Sequence, residues 1–158
     1  MKKITFVAIL GFLMSACGGG NSHPVESTVS TKKSVSADAA NPSYDPNRGE
    51  GKFKDIEVTG AIDKPMAENG FKIYGLKCSS CHKTTDEKLV GPGWNGATSR
   101  HTAAWIMNFI TNPDVMLDKD PKAQAQLEIC LVRMPNQNLA DEDARALYEF
   151  MRKNDGIK

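Results

Sequence analysis

The chain is 158 residues long, with 20 lysines and arginines against 19 aspartates and glutamates and a formal net charge of +1. A hydrophobic content of 40% allows one soluble globular unit plus a tail. Neither a basic excess nor a basic aromatic stripe is present, which excludes the usual electrostatic footprint of a nucleic-acid binder.

Residues 1–16 read as an export signal: Lys2 and Lys3, an apolar run over 4–14, then Ser15 and Ala16. The run is shorter than the ~20 apolar residues of a permanent membrane span. LMSAC followed by GGGNS resembles the lipobox of bacterial lipoproteins, with Met14 where leucine is usual. The resemblance implies that Cys17 is lipid-modified and anchors the chain to a membrane; an ordinary cleaved signal with Cys17 near the cut is the alternative. From Gly18 to about Arg48 small and polar residues dominate, too few of them large and apolar to build a core. Residues 17–50 are therefore expected to form a flexible tether with a reach of ~35 Å, in which His23 is a solvated bystander. The folded domain is expected over 51–158.

Residues 65–77 predict a helix that ends at a cysteine, with Gly70 and Tyr74 four apart on one face. KCSSCHK, residues 77–83, follows at once. A zinc site needs four ligands, yet the remaining cysteine, Cys130, stands alone and His101 has no partner histidine three to five residues away. A thioredoxin-like pair wants strand-like runs of valine and isoleucine nearby, and the flanks here are helical in pattern. C-x-x-C-H is the attachment signature of c-type haem: the two thiols add to vinyl groups and the histidine is carried under the iron. Cys78 and Cys81 are thus expected to hold one covalent haem c, and His82 to ligate its iron. An exported chain supports this, because bacteria attach haem c outside the cytoplasm. A thiol protein with Cys78 and Cys81 free or paired is the competing reading, and a haem stain on a denaturing gel separates the two.

VGPGWNG, residues 90–96, carries a Gly-Pro-Gly turn. SRHTAAWIMNFIT reads as a helix ending before Pro113, with Trp105, Ile106, Phe109 and Ile110 on one side. DPKAQAQLEI starts a second short helix, with Asp120 as cap and Pro121 in its first turn. In 141–154 Ala144, Leu147, Tyr148 and Met151 fall on one helical face, acids precede bases along it, and Gly156 follows as a stop. Asp141 is its expected cap. Trp94, Arg100, His101 and Trp105 are candidates to bond the haem carboxylates, Arg100 by a charge-assisted pair. Cys130 reads as a small buried hydrophobe, with an intermolecular disulfide as the alternative. With no strand pairs evident, the domain is expected to be all-α around one haem.

The stretches KPMAENGFKIYGLKCSSCHK and MPNQNLADEDARALYEF resemble class I monohaem cytochromes c over roughly 64–155, and in particular the small tethered cytochromes of Bacteroidetes-type bacteria. The resemblance implies a cytochrome c fold of four or five short helices. It implies that Gly70 lets a second helix approach, that the last helix crosses the first, and that Leu147 with Phe150 or Met151 meets Gly70 and Tyr74. It implies that the carbonyl of Pro92 accepts the hydrogen bond of His82 Nδ1, and that Met134, ahead of a proline, is the sixth iron ligand. Met107 in a core-like helix, Met116 in an irregular stretch and His101 are the rivals.

Histidine and methionine together fill both axial positions, which leaves one-electron transfer rather than substrate chemistry. The function expected is therefore an electron carrier, not an enzyme and without a small-molecule substrate. It faces the periplasm of a bacterial envelope, is tethered through Cys17, and serves respiratory redox partners as a monomer. The resemblance associates such chains with terminal reductases, nitrous oxide reductase among them, or oxidases. A haem-based sensor or small peroxidase with an open sixth position is the alternative. From residue 61 onward basic and acidic residues are equal at thirteen each. Lys72, Lys77, Lys83 and Lys88 nevertheless cluster around the motif, either as a solvated face or as a basic ring that steers an acidic partner.

Overall fold

The computed structural model describes residues 44–158, so the expected signal segment, Cys17, His23 and most of the tether lie outside the described residues. Among the described residues the chain forms six helices, and its extended pairing is limited to one antiparallel bridge between His82 and Lys88. The all-α expectation holds, with more helices than the four or five expected. No helix among the described residues is long and apolar enough to cross a membrane.

Helix α1 (Lys64–Lys77) is capped by Asp63, whose carboxylate accepts the Met66 N–H at 2.9 Å, and carries Pro65 in its first turn, where a missing N–H costs nothing. The single helix expected over SRHTAAWIMNFIT is two. Helix α2 (Ala97–Arg100) ends at His101, whose backbone is extended, and Thr102 then caps α3 (Ala103–Thr111) by accepting the Trp105 N–H. A threonine that bonds forward to the chain competes with helix continuation, which is why the run breaks there. Helix α4 (Pro113–Lys119) occupies the stretch expected to be irregular. Helix α5 (Pro121–Cys130) starts as expected on Asp120, which accepts the Ala123 N–H at 2.8 Å.

Helix α6 (Asp141–Asn154) corrects one detail: its N-cap position is Ala140, with no side-chain bond. Asp141 is the first helical residue and pairs with Lys52. Three acids in the first turn meet the positive helix end in place of a cap. Gly156, just beyond the C-cap, takes the left-handed conformation with φ +87° that ends the helix.

The core rests on the packing of α1 against α6. A Cβ on Gly70 would lie 2.0 Å from the Ala146 carbonyl oxygen and 2.8 Å from the Phe150 Cβ. The small residue is needed for close approach, as expected, and it meets Phe150, which also packs on Tyr74 at 5.3 Å, together with Ala146. Leu147 is buried in the core, and Met151 lines the hollow described below. Gly70→Ala is expected to cost a net ~1–2 kcal/mol, because overpacking against backbone outweighs the helix propensity gained. A urea midpoint at or above the parent's would contradict it.

The packed chain begins earlier than the boundary expected at Gly51. Residues 44–62 run as a strap over α3 to α6. The Tyr44 hydroxyl donates to Asp120, and the buried Asn108 donates to the carbonyls of Arg48 and Phe53 while accepting the Phe53 N–H, each at 2.9 Å. Farther along, Arg145 donates to the Glu57 carbonyl and Arg152 to those of Thr59, Gly60 and Ala61. The small, polar composition of residues 45–50 hid this ordering, because that part of the strap is held mainly by side chains of other elements, while Phe53 and Ile56 farther along pack on the core themselves.

Candidate haem site

The site is built on the turn that ends α1. The Cys78 N–H closes the helix on Tyr74, and the Cys78 carbonyl accepts the N–H groups of both Cys81 (3.0 Å) and His82 (2.9 Å). This compact turn presents the second thiol and the imidazole together. Cys81 and His82 both line a hollow, whereas Cys78 is buried behind them, its thiol pushed up to about 11 by burial against the opposing pull of Lys77. None of the three described cysteines is paired in a disulfide. Among the described residues there is no group of three or more His, Cys, Asp or Glu placed to hold a metal ion.

His82 is held from four directions. Its Nδ1 lies 2.8 Å from the Pro92 carbonyl, which can only accept, so the ring proton sits on Nδ1 and Nε2 keeps its lone pair. The ring packs against Gly91, where a Cβ would lie 2.3 Å from Cε1. Trp94 stands against it at 5.6 Å, and the Tyr74 hydroxyl donates to the His82 carbonyl at 2.7 Å. Burial lowers the imidazole pKa, opposed by the bond to Pro92, so a neutral, metal-competent ring is favoured.

Met134 lines the same space as His82. The two share the walls of two adjoining hollows, together with Pro92, Phe109, Gln126 and Cys130. The larger is ≈ 430 Å³ and continues along Trp94, Trp105, Ile106, Ile110 and Met151. Apolar walls, a fixed imidazole, and a thioether and a thiol in the same lining form a donor set that fits a flat iron macrocycle.

The rivals to Met134 separate by position. Met107 is core, as expected. Met116 is helical and wholly buried, its sulfur accepting the Glu50 N–H at 3.1 Å, and it is absent from both walls. Trp105 requires a correction. Its ring lines the hollow, but its indole N–H donates to Asp120 at 3.0 Å and has no second hydrogen to offer a haem carboxylate.

Arg100 reaches the rim while donating to the carbonyls of Asn95 and Gly93, and Trp94 lines the wall from an aromatic cluster with Tyr74 and Phe150. Cys130 is half-buried in the wall instead of being a core residue. The basic ring is largely engaged: Lys83 pairs with Glu87, and Lys77 and Lys88 donate to the carbonyls of Gln137 and Ile129.

Sequence reasoning did not single out Gly91, Asn108, Gln126 or the second task of Asp120. Gly91 lay inside a stretch already read as a turn. Asp120 was legible as a cap, but only the fold brings Tyr44 and Trp105 to its other oxygen.

The cytochrome c family model matches residues 67–155. Among solved structures, a cytochrome c from Rhodothermus marinus matches with a TM-score of 0.64 and 28% identity over 66% of this chain and 90% of that one. An engineered form of the Rhodothermus marinus protein bound to a carbene intermediate matches at a TM-score of 0.61, with the same identity and coverage. No curated protein sequence matches. The site, the helical fold and the family match agree: this chain belongs to the cytochrome c family, as a class I, monohaem, all-α member that binds haem c covalently and serves haem-based electron transfer.

Proposed function

We propose that the chain is a membrane-tethered electron carrier facing the periplasm of a bacterial envelope. Lipidated Cys17 holds it to the membrane, Cys78 and Cys81 bind the haem, and His82 and Met134 are the axial ligands. The observation that carries this reading is His82 with its Nδ1 committed to Pro92 at 2.8 Å, on a wall it shares with Met134. When bound, haem c supplies a one-electron couple whose potential a methionine ligand raises.

The chain's own residues keep that couple still. Pro92, Gly91 and Trp94 fix the imidazole, and the apolar wall excludes water from the iron. With two side chains as ligands, no position is left for oxygen or peroxide, which argues against a sensor or peroxidase. The partners proposed are respiratory redox proteins, a terminal reductase such as nitrous oxide reductase or an oxidase, met transiently by a monomeric domain that reaches them on its tether. No small-molecule substrate takes part.

Absorption spectra of the exported protein, ferric and ferrous, with and without carbon monoxide, test the ligands. The parent is expected to show the weak far-red sulfur-to-iron band and no carbon monoxide binding; Met134→Ala is expected to lose the band and to bind carbon monoxide. A parent that binds carbon monoxide readily would return the sensor or peroxidase reading. The anchor has its own test: Cys17→Ser is expected to move the protein from the membrane to the soluble fraction, and unchanged membrane association would remove lipidation from the account.

A further inference from the structure

Behind the wall of the larger hollow lies a buried acid that the ligand chemistry does not use. Asp120 is 0% exposed and lines neither hollow, but it is bonded to a residue that does. Its Oδ2 accepts from the indole N–H of Trp105 at 3.0 Å and from the Tyr44 hydroxyl, and its Oδ1 accepts the Ala123 N–H at 2.8 Å. Both oxygens act as acceptors, the arrangement of a carboxylate. None of the ion pairs among the described residues includes it. Lys122, two positions on, gives its ammonium to the Pro46 carbonyl. His101, stacked on Trp105 at 3.9 Å, is held down to about 4 by burial, then by Lys122 and Arg100, against the pull of Asp120. It therefore stays neutral and supplies no cation. A buried charge without a countercharge is costly and calls for a partner.

We propose that Asp120 lowers the reduction potential of the haem: its charge, carried behind Trp105, stabilises the ferric state, and the Tyr44 hydroxyl from the strap moderates it. The inference rests on the haem filling the hollow, as proposed above. With neutral histidine and methionine as ligands, ferric iron in its dianionic ring carries one net positive charge, and ferrous iron none. A fixed negative charge in a low-dielectric wall favours the first state over the second.

Three donors spread the charge of the carboxylate. Trp105 belongs to α3 and Ala123 to α5, so Tyr44 is the donor that the strap brings in. Burial, then the bond to Asp120, pushes the Tyr44 hydroxyl up, so it keeps its proton and remains the donor. The strap thereby acts on the haem through Asp120, although no residue of it lines either hollow.

The test is the midpoint potential of the full-length, haem-loaded protein and of two variants, at one pH and ionic strength. Asp120→Asn keeps the shape and removes the charge. It is expected to shift the balance ~3–10-fold toward ferrous, a rise of about 30–60 mV at ~59 mV per tenfold. Tyr44→Phe keeps the carboxylate and removes one donor, and is expected to move the potential the opposite way, by less. Both are expected to retain the far-red band. An unchanged or lowered potential in D120N overturns the proposal. So does an unchanged or raised potential in Y44F, because loosened packing alone would move the two variants together. Should D120N fail to load haem, the sign of the Y44F shift decides. Failure here leaves the far-red band of the parent in place, whereas failure of the ligand assignment removes that band from the parent first.

Discussion

Arg152→Met is expected to lower the stability of the haem-loaded protein by about 3–5 kcal/mol, the usual cost of removing one partner from a buried ion pair. Arg152 and Glu149 lie on α6 with side chains 6% and 1% exposed. The guanidinium donates to both carboxylate oxygens, at 3.0 and 2.9 Å. Its second nitrogen donates to the Thr59 and Gly60 carbonyls of the strap. Methionine matches the stem of arginine but leaves the Glu149 carboxylate in the core with Arg145 alone, at 2.6 Å.

The exposed strap carbonyls recover water, so the loss falls on Glu149. Adding Glu149→Leu to Arg152→Met should therefore restore much of the stability, because a well-packed apolar pair replaces a buried ion pair at little cost. Urea denaturation gives both numbers, with unchanged slopes marking a change in stability alone. A single variant within 1 kcal/mol of the parent would show that the pair is solvated and that the strap is held by Asn108 and Tyr44 instead.

The parts of the fold legible in the sequence are those set by local chemistry. Pro121 after Asp120, the α6 stripe of Ala144, Leu147, Tyr148 and Met151, and the helix running into Cys78 were visible because capping, proline geometry and a 3.6-residue period act over a few residues. The break at His101 and Thr102 was hidden because no proline or glycine marks it between Ala97 and Asn112. Only the threonine's bond to the Trp105 N–H divides the run into two helices.

Helix α4 was missed for a related reason: its seven residues, PDVMLDK, are too few to establish a period. At the site, the motif residues and Met134 carried their chemistry in their identities. The supporting residues did not. An asparagine, a glutamine and a glycine have no distinctive sequence signal, and each acquires a role only from a partner that the fold brings near: Phe53 for Asn108, His101 for Gln126, His82 for Gly91.

Gly91 yields the sharpest expected result. A Cβ there would lie 2.3, 2.7 and 2.8 Å from Cε1, Nδ1 and Nε2 of His82, closer than a carbon side chain is ever accommodated. Neither side has room to yield. The Gly91 N–H donates to the Cys81 carbonyl at 2.9 Å, its own carbonyl accepts the Leu89 N–H, and the imidazole is pinned to Pro92 on one face of the turn with Trp94 beyond it. The ring has to leave its bond to Pro92.

Gly91→Ala is therefore expected to reduce haem-loaded protein, or the fraction with an intact histidine ligand, by ~10–100-fold, the range typical for loss of a residue that orients a metal ligand. Gly75→Ala is the matched control: a Cβ there meets nothing within 4 Å, and alanine gains up to ~1 kcal/mol of helix propensity within α1. Haem stain per unit of protein, followed by the carbon monoxide response of whatever is loaded, reads both variants. Should Gly91→Ala load and behave like Gly75→Ala, the ring does not need this wall, and the fixed orientation of His82 rests on Pro92 and Trp94 alone.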